Sequence, residues 1–286
     1  MNEPADITRC AQWIRESTCI LIGAGAGLSA DAGNNYTDIK YFAEHFPGLV
    51  KKGFRMKLQL MGYEDWTESQ KWGYYAQHMT EIMNLPPHSV YGRLLDLVQS
   101  RDYFVLTTNV DELFVKNGFD PLRIYTPQGS YYRIQCVKPC SDETWPSRPI
   151  AERLYPLINH DTQEITDPAA LPECPKCGGR VFINVRIGDW FVHAPYAEEE
   201  KRYHTWVASH QERNLVLIEI GSGYHTPVWI RWPFERIVRS FPNARLIRIN
   251  LEYPEIPPEI HHRAISIRGT AMETITALWE EMGLNL

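Results

Sequence analysis

One stretch near the start of the chain decides the fold: Gly23-Ala24-Gly25-Ala26-Gly27-Leu28-Ser29-Ala30-Asp31-Ala32-Gly33. It follows residues 18–22, a short apolar run rich in β-branched side chains, which predicts a buried strand. Residues 28–32 then predict a helix with Ser29 in its first turn. Glycines between a strand and a helix let the backbone approach a phosphate, and the helix start favours negative charge. The stretch therefore indicates a dinucleotide site, although a tight turn without a ligand has the same pattern.

The composition narrows the class of protein. The chain has 286 residues, of which 44% are hydrophobic, enough for one large domain with insertions or for two modest ones. No apolar run is long enough to span a membrane, and the start lacks the basic and apolar regions of a signal peptide. We therefore expect a cytoplasmic protein. A net charge of -6 argues against nucleic acid as a partner.

Predicted strands and helices alternate along most of the chain. Apolar runs predict strands over residues 103–107, 123–125, 215–220, 245–250 and 264–267. Helical spacing of apolar residues predicts helices over residues 6–17, 89–99, 233–240 and 271–282. The alternation predicts an α/β fold, with a Rossmann-like parallel sheet covered by helices on both faces, in which ligands bind at the carboxyl ends of the strands.

Two insertions interrupt this alternation. Residues 34–85 are dense in aromatic side chains and predict a loop followed by a helical insertion. Residues 132–185 are rich in proline and polar residues and contain four of the six cysteines. We expect these two insertions to form a small domain, and residues 1–33, 86–131 and 186–286 to form a discontinuous Rossmann-like domain.

The clustered cysteines have the spacing of a metal site. Cys136 and Cys140 form one pair, and Cys174 and Cys177 form a second pair in a Cys-Pro-Lys-Cys-Gly-Gly sequence typical of a zinc knuckle. The first pair is one residue wider than the second. Four thiolates leave no open position on zinc, so the predicted role is structural. The alternative is a ribbon that has lost its metal and keeps reduced thiols.

The ordered strand ends resemble the sirtuin family of NAD-dependent enzymes. The stretch Gly25-Ala26-Gly27-Leu28-Ser29 with Gly33 resembles the Gly-Ala-Gly-x-Ser loop of the family, and Thr108-Asn109-Val110-Asp111 is similar to its Gln-Asn-Ile-Asp. Sirtuins also have a zinc ribbon where the four cysteines lie. The resemblance implies NAD as the cosubstrate, bound by Gly25, Ala26, Gly27, Ser29, Gly33, Asn109, Asp111, Gln128, Gly221, Ser222 and Asn250.

Two departures from the deacylases of the family concern the reaction. Gln128 stands where deacylases have a histidine that acts as a base on a ribose hydroxyl. A glutamine amide does not titrate near neutral pH, so it can orient a ribose or a nucleophile but cannot act as a general base. Arg186 lies where deacylases have an apolar stretch, and its charge is costly beside a short acyl chain unless it meets an anion.

These departures resemble the microbial class M sirtuins, which are protein ADP-ribosyltransferases. That resemblance implies a lipoylated carrier protein related to glycine cleavage H protein as the target, and a macrodomain hydrolase as a functional partner that reverses the mark. On the same resemblance, Asn109 and Gln128 are assigned as catalytic, Asp111 as support for the nicotinamide side, and Arg186 as a substrate contact.

Other interpretations of these residues stay open. Gln128 also fits an ordinary turn residue, and Asn109 also fits an Asx turn at a strand end. A protein-lysine deacylase, an NAD hydrolase and a non-enzymatic NAD sensor would all keep the dinucleotide site. The charged run over residues 198–202 is interpreted as a solvated helix face.

Overall fold

The computed structural model describes residues 4–284 and divides the chain into two compact units. The first unit contains the chain up to Gly33, Pro87–Gln128 and the chain from Tyr196 onward. The second unit contains Asn34–Pro86 and Gly129–Pro195.

The secondary structure of the described residues is as follows. The strands are β1 (Cys19–Ala24), β2 (Asp102–Thr107), β3 (Ile124–Tyr125), β4 (Gly129–Cys136), β5 (Trp145–Pro146), β6 (Ile158–Asn159), β7 (Glu164–Ile165), β8 (Val181–Val185), β9 (Leu215–Ile220), β10 (Arg245–Ile249) and β11 (Ala264–Ile267). The α-helices are α1 (Pro4–Glu16), α2 (Ala26–Asp31), α3 (Ile39–His45), α4 (Pro47–Lys51), α5 (Glu68–Asn84), α6 (Ser89–Val98), α7 (Leu113–Lys116), α8 (Arg148–Leu154), α9 (Ala197–Ser209), α10 (Arg231–Ser240) and α11 (Ala271–Glu281). Short 3-10 helices occupy Lys57–Leu60, Pro121–Arg123, Tyr155–Leu157, Pro168–Ala170, Ala194–Tyr196 and Pro258–Arg263.

A parallel sheet of six strands forms the centre of the first unit. Its order is β11-β10-β9-β1-β2-β3, and Ile22 of β1 pairs with Val105 of β2 on one side and Ile218 of β9 on the other. Every residue of β1 and β9 is buried, which is typical of parallel strands covered on both faces. The predicted Rossmann-like sheet is confirmed, and the predicted strands lie within a residue or two of the observed ones.

The second unit combines helices with small antiparallel sheets. Strands β5, β4 and β8 form one sheet, and β6 pairs with β7 in another. Helix α5 supplies much of the core of this unit, with Trp72, Ala76 and Met79 almost fully buried. The aromatic residues of the first insertion therefore serve mainly in packing.

None of the described helices is both long enough and apolar enough to cross a membrane.

Candidate active site

The polar strand ends of the first unit lie in a fixed spatial order. All six strands are parallel, so the residues that follow them emerge at one edge of the sheet. Because the strand order is β10-β9-β1-β2-β3, the sequence places Asn250, Gly221, Gly25, Asn109 and Gln128 after successive neighbouring strands. The edge thus brings together five segments that are far apart along the chain.

Two glycines of the opening stretch make close backbone contact with the turn after β9. A Cβ atom on Gly25 would lie 2.6 Å from the carbonyl oxygen of Gly221, and one on Gly27 would lie 2.7 Å from the Gly221 Cα. The Gly27 N–H donates to the Gly221 oxygen at 3.1 Å, and Gly221 itself has a φ of 61°. These glycines are therefore required by packing between the two turns, independently of any ligand.

A chain of hydroxyl groups links Ser29 to the segment after β2. Ser29 Oγ donates to Asp111 Oδ2 at 2.6 Å and lies 3.3 Å from the Tyr91 hydroxyl. A serine has one proton to donate, so Tyr91 donates to Ser29. Burial, and then the negative charge of Asp111, raises the pKa of Tyr91 well above its usual value, so its hydroxyl stays protonated.

Asn109 is fixed in place by contacts with the same glycine turn. Its side-chain Nδ2 donates to the Gly25 carbonyl oxygen at 2.9 Å, and its backbone N–H donates to Thr107 Oγ1 at 3.1 Å. Thr107 in turn donates to the Ala24 oxygen at 2.9 Å. With only 8% of its surface exposed, Asn109 is a preorganised amide at the carboxyl edge.

Gln128 lies in a turn that directly follows β3. Its side chain is half-buried, and it stands between Pro127 and Gly129, whose φ of 93° is left-handed. Within the second unit, a Cβ on Gly129 would collide with the carbonyl oxygen of Asn184, so only glycine fits that position. The chain around Gln128 is therefore tightly constrained.

Asn250 and Ser222 form the other end of the edge. Asn250 Nδ2 donates to the Ser222 carbonyl oxygen at 2.7 Å, and Asn250 Oδ1 accepts from the N–H groups of Glu252 and Tyr253 at 3.1 and 3.0 Å. Asn250 thus holds two loops together, which places Ser222 and Asn250, both expected to bind NAD, next to each other.

A buried ion network lies beneath these two loops. Arg248 donates to Glu219 at 2.8 Å and to Glu235 at 2.9 Å, while Arg231 donates to the carbonyl oxygens of Tyr253 and Glu255 at 2.9 and 3.1 Å. Burial raises the pKa of Glu219, although the Arg248 charge opposes that shift. The sequence patterns gave no indication of this network, because Glu219 lies in an otherwise apolar strand and its arginine partner is remote in the sequence.

Arg186 lies in the second unit, in the loop after β8. Its guanidinium lies 4.3 Å from the centre of the Phe191 ring, and its Nη2 is 3.1 Å from His193 Nδ1. Because arginine can only donate, Nδ1 accepts. A fully buried glutamine holds this loop: Gln135 Oε1 accepts from the Val192 N–H at 2.9 Å.

The four predicted cysteines come together in the second unit. Their Sγ atoms all lie within 4.8 Å of one another, with Cys136 and Cys177 at 3.7 Å and Cys140 and Cys174 at 3.6 Å. Tetrahedral zinc with thiolates at about 2.3 Å needs sulfur atoms about 3.8 Å apart, so the residues fit this metal. The wider spacing of the first pair does not prevent all four sulfur atoms from converging.

The second cysteine pair lies in a tight turn. The Cys174 N–H donates to the Gly179 oxygen at 2.7 Å, and the Gly178 N–H donates to the Cys174 oxygen at 2.8 Å. Burial acts to raise the pKa of Cys174, but the backbone N–H groups of Lys176 and Cys177, together with the Cys140 and Cys177 thiols, lower that pKa to about 7. Such a thiol is readily available to a metal as thiolate.

One contact contradicts the interpretation of residues 198–202 as a solvated face. Helix α9 forms as the pattern indicates, but Glu199 is half-buried and accepts two hydrogen bonds from Thr126. Sequence analysis also missed Tyr91 and Gln135. Nothing in the local pattern distinguishes these residues from ordinary core or surface positions, because their partners are remote in the sequence.

Comparison with known proteins gives a consistent set of relatives. No family model matches the chain. It is 37% identical over 258 residues to a protein of Fusarium oxysporum f. sp. cubense described as a probable bifunctional ADP-ribose hydrolase/ADP-ribosyltransferase, covering 87% of this chain and 43% of that protein. It is 29% identical over 283 residues to a protein ADP-ribosyltransferase of Staphylococcus aureus, covering 96% of this chain and 87% of that protein.

Solved structures share the fold. A Sir2 homologue in complex with NAD superposes with a TM-score of 0.61 at 20% identity, covering 96% of this chain and 93% of that one. The chain spans less than half of the fungal relative but most of the bacterial one.

Proposed function

We propose that the chain is a sirtuin-type, NAD-dependent protein ADP-ribosyltransferase, since it shares the fold of a Sir2 homologue and resembles two proteins described as ADP-ribosyltransferases. The proposal rests on the order of segments along the carboxyl edge of the sheet, which ends with Asn109 and Gln128. The side-chain amide of Gln128 stands where deacylases have a histidine base. The descriptions of the fungal and bacterial relatives as ADP-ribosyltransferases support it.

We propose that NAD lies along this edge with its adenosine near Ser222 and Asn250 and its nicotinamide ribose near Asn109. Gly25, Ala26, Gly27, Ser29 and Gly33 line the middle of the edge in this proposal, and Asp111 supports the nicotinamide side. The Ser29–Asp111 hydrogen bond of 2.6 Å favours this arrangement, because it fixes the carboxylate next to the glycine turn.

The proposed reaction breaks the bond between nicotinamide and ribose C1′. Nicotinamide leaves with the bonding electron pair, and the resulting oxocarbenium-like ribose accepts an electron pair from an acceptor oxygen. Such a step depends on placement and electrostatic stabilisation more than on a strong base. Asn109 would hold the ribose, and Gln128 would orient the acceptor. A carboxylate acceptor is already ionised at neutral pH, so it needs no deprotonation.

We propose that the acceptor belongs to a lipoylated carrier protein and that a macrodomain hydrolase removes the mark. Arg186 is the proposed contact for an anionic group of this substrate, with its guanidinium held between Phe191 and His193. The fungal relative supports a hydrolase partner, because its description joins an ADP-ribose hydrolase and a transferase in one protein. Zinc, if bound by the four cysteines, would act structurally.

The test follows nicotinamide release from NAD in the presence of lipoylated carrier, unlipoylated carrier or an acetyl-lysine peptide. We expect release that depends on the lipoylated carrier and is abolished by Asn109→Ala. Release that depends on the acetyl-lysine peptide would identify a deacylase instead. Equal release without any protein acceptor would identify an NAD hydrolase.

A further inference from the structure

Helix α9 makes a direct contact with the turn that contains Gln128. Thr126 is the first residue after the short edge strand β3, and both its backbone N–H and its Oγ1 hydroxyl donate to Oε2 of Glu199, each at 3.0 Å. A charged acceptor strengthens both bonds relative to a neutral one. One carboxylate oxygen thus fixes the backbone and the side chain of Thr126, two residues before Gln128.

Helix α9 is itself fixed to the sheet at its other end. Near the carboxyl terminus of the helix, Trp206 Nε1 donates to Asp102 Oδ1 at 3.0 Å, and His210 Nε2 lies 3.0 Å from Asp102 Oδ2. Asp102 is the first residue of β2. The Tyr203 ring also packs against Tyr125 of β3, with ring centres 5.6 Å apart. The carboxylate of Glu199 is therefore presented from a rigid support.

The turn needs such support because of its own sequence. Strand β3 has only two residues and pairs on one side, with β2, so the sheet holds the chain weakly at this point. Pro127 has no N–H to donate within the turn. Because Pro127 cannot donate a backbone hydrogen bond, the two bonds from Thr126 to Glu199 fix the turn at the residue before the proline.

We infer that Glu199 is a positioning residue that holds the Thr126–Pro127–Gln128 turn in its reactive geometry. This inference rests on the proposed function, since it assigns Glu199 to the placement of the proposed catalytic amide. Glu199 acts through Thr126 and through the intervening backbone. A small displacement of a catalytic group is enough to lower a rate by one or two orders of magnitude.

The experiment compares Glu199→Ala with Glu198→Ala, which removes an exposed carboxylate from the adjacent position of the same helix. We expect Glu199→Ala to lower kcat for NAD consumption by about 10- to 100-fold while the KM for NAD changes by less than about twofold. Glu198→Ala should match the wild type. Glu199→Gln, which keeps an acceptor oxygen on a side chain of the same length, should recover most of the lost rate.

A double-mutant cycle and hydrogen exchange complete the test. Thr126→Val combined with Glu199→Ala should cost little more than Glu199→Ala alone, because the hydroxyl bond that Thr126→Val removes is already lost in Glu199→Ala. The amides of Gln128 and Gly129 should exchange faster in Glu199→Ala than in Glu198→Ala, whatever reaction the enzyme performs. Equal exchange and equal kcat in the two alanine variants would overturn the inference.

Failure of the proposed function would look different. If the wild type releases nicotinamide without modifying a protein, transfer is refuted, and the inference about Glu199 is judged on nicotinamide release and exchange. A lower thermal midpoint in Glu199→Ala with kcat and KM altered together, and no recovery in Glu199→Gln, would indicate a structural role only and would overturn the positioning role.

Discussion

Ser29 and Asp111 are joined by a hydrogen bond of 2.6 Å between hydroxyl and carboxylate, although 82 residues separate them in the chain. Ser29 belongs to the helix that follows β1, and Asp111 follows β2, so the bond ties two adjacent strand ends together. Tyr91 extends the chain of hydrogen bonds by donating to Ser29.

Loss of this bond should weaken the reaction with NAD. Ser29→Ala leaves the buried Asp111 carboxylate without one donor, and hydrogen bonds to charged groups contribute about 1.5–3 kcal/mol. We expect kcat/KM for NAD to fall by about tenfold or more. Steady-state nicotinamide release measures this, with Ser100→Ala, which changes an exposed serine, as the matched control. Equal values for the two variants would contradict the role given to the Ser29–Asp111 pair.

The packing of the glycine turn should make Gly27→Ala destabilising. Its Cβ would lie 2.7 Å from the Gly221 Cα, so the backbone of one turn has to move. Overpacking of this kind costs about 1–3 kcal/mol. Gly92→Ala is the control, because its Cβ meets nothing within 4 Å in helix α6, and there we expect a gain of up to about 1 kcal/mol. Chemical denaturation measures both, and a neutral Gly27→Ala would refute the close contact.

Metal removal should destabilise the second unit. We expect about one zinc ion per chain by elemental analysis, and a lower thermal midpoint after treatment with a strong chelator. Cys177→Ser should lose the metal, because three thiolates remain. Lys176→Ala changes the same turn without removing a ligand and should keep it. Full stability of the metal-free protein would support the alternative of a ribbon with reduced thiols.

His78 should make the protein sensitive to mild acid. Its ring is fully buried among Tyr36, Tyr74 and Tyr131, and neither ring nitrogen has a hydrogen-bond partner among the described residues. Burial, and then the charge of Lys57, lowers the pKa of His78 well below its usual value. The folded protein therefore keeps this ring neutral where the unfolded chain binds a proton.

Below the unfolded pKa of about 6.5, this difference destabilises the folded state. Above that pH both states are neutral at His78 and the folded state carries no penalty; below it the unfolding free energy falls by up to about 1.4 kcal/mol for each pH unit. His78→Phe should reduce the dependence of the unfolding free energy between pH 6.5 and 5 by that amount. His204→Phe, which changes an exposed histidine, should leave the dependence unchanged. Parallel curves for the wild type and His78→Phe would contradict the prediction.

The sequence predicted the sheet well because parallel strands buried on both faces read as continuous apolar runs. The runs at residues 215–220 and 264–267 match β9 and β11 residue for residue. The spacing of the four cysteines, the knuckle sequence and the family resemblance indicated a single metal site, and the four sulfur atoms do come together.

Contacts between remote side chains were not predictable in the same way. Glu199 has the local pattern of a solvated helix face, and only the structure brings it to Thr126. Gln135 lies between the apolar residues Ile134 and Cys136 at the end of β4, and one polar residue there gave no reason to single it out. Burial of Arg248 beside Glu219 also depends on the pairing of β9 with β10, which no short pattern records.

The proposed transfer is tested by the intact mass of a lipoylated carrier protein after incubation with this enzyme and NAD. We expect a mass gain of one ADP-ribose on the lipoylated carrier, none on the unlipoylated carrier, and none with Asn109→Ala. Nicotinamide release with no mass gain on any carrier would contradict the proposed transfer.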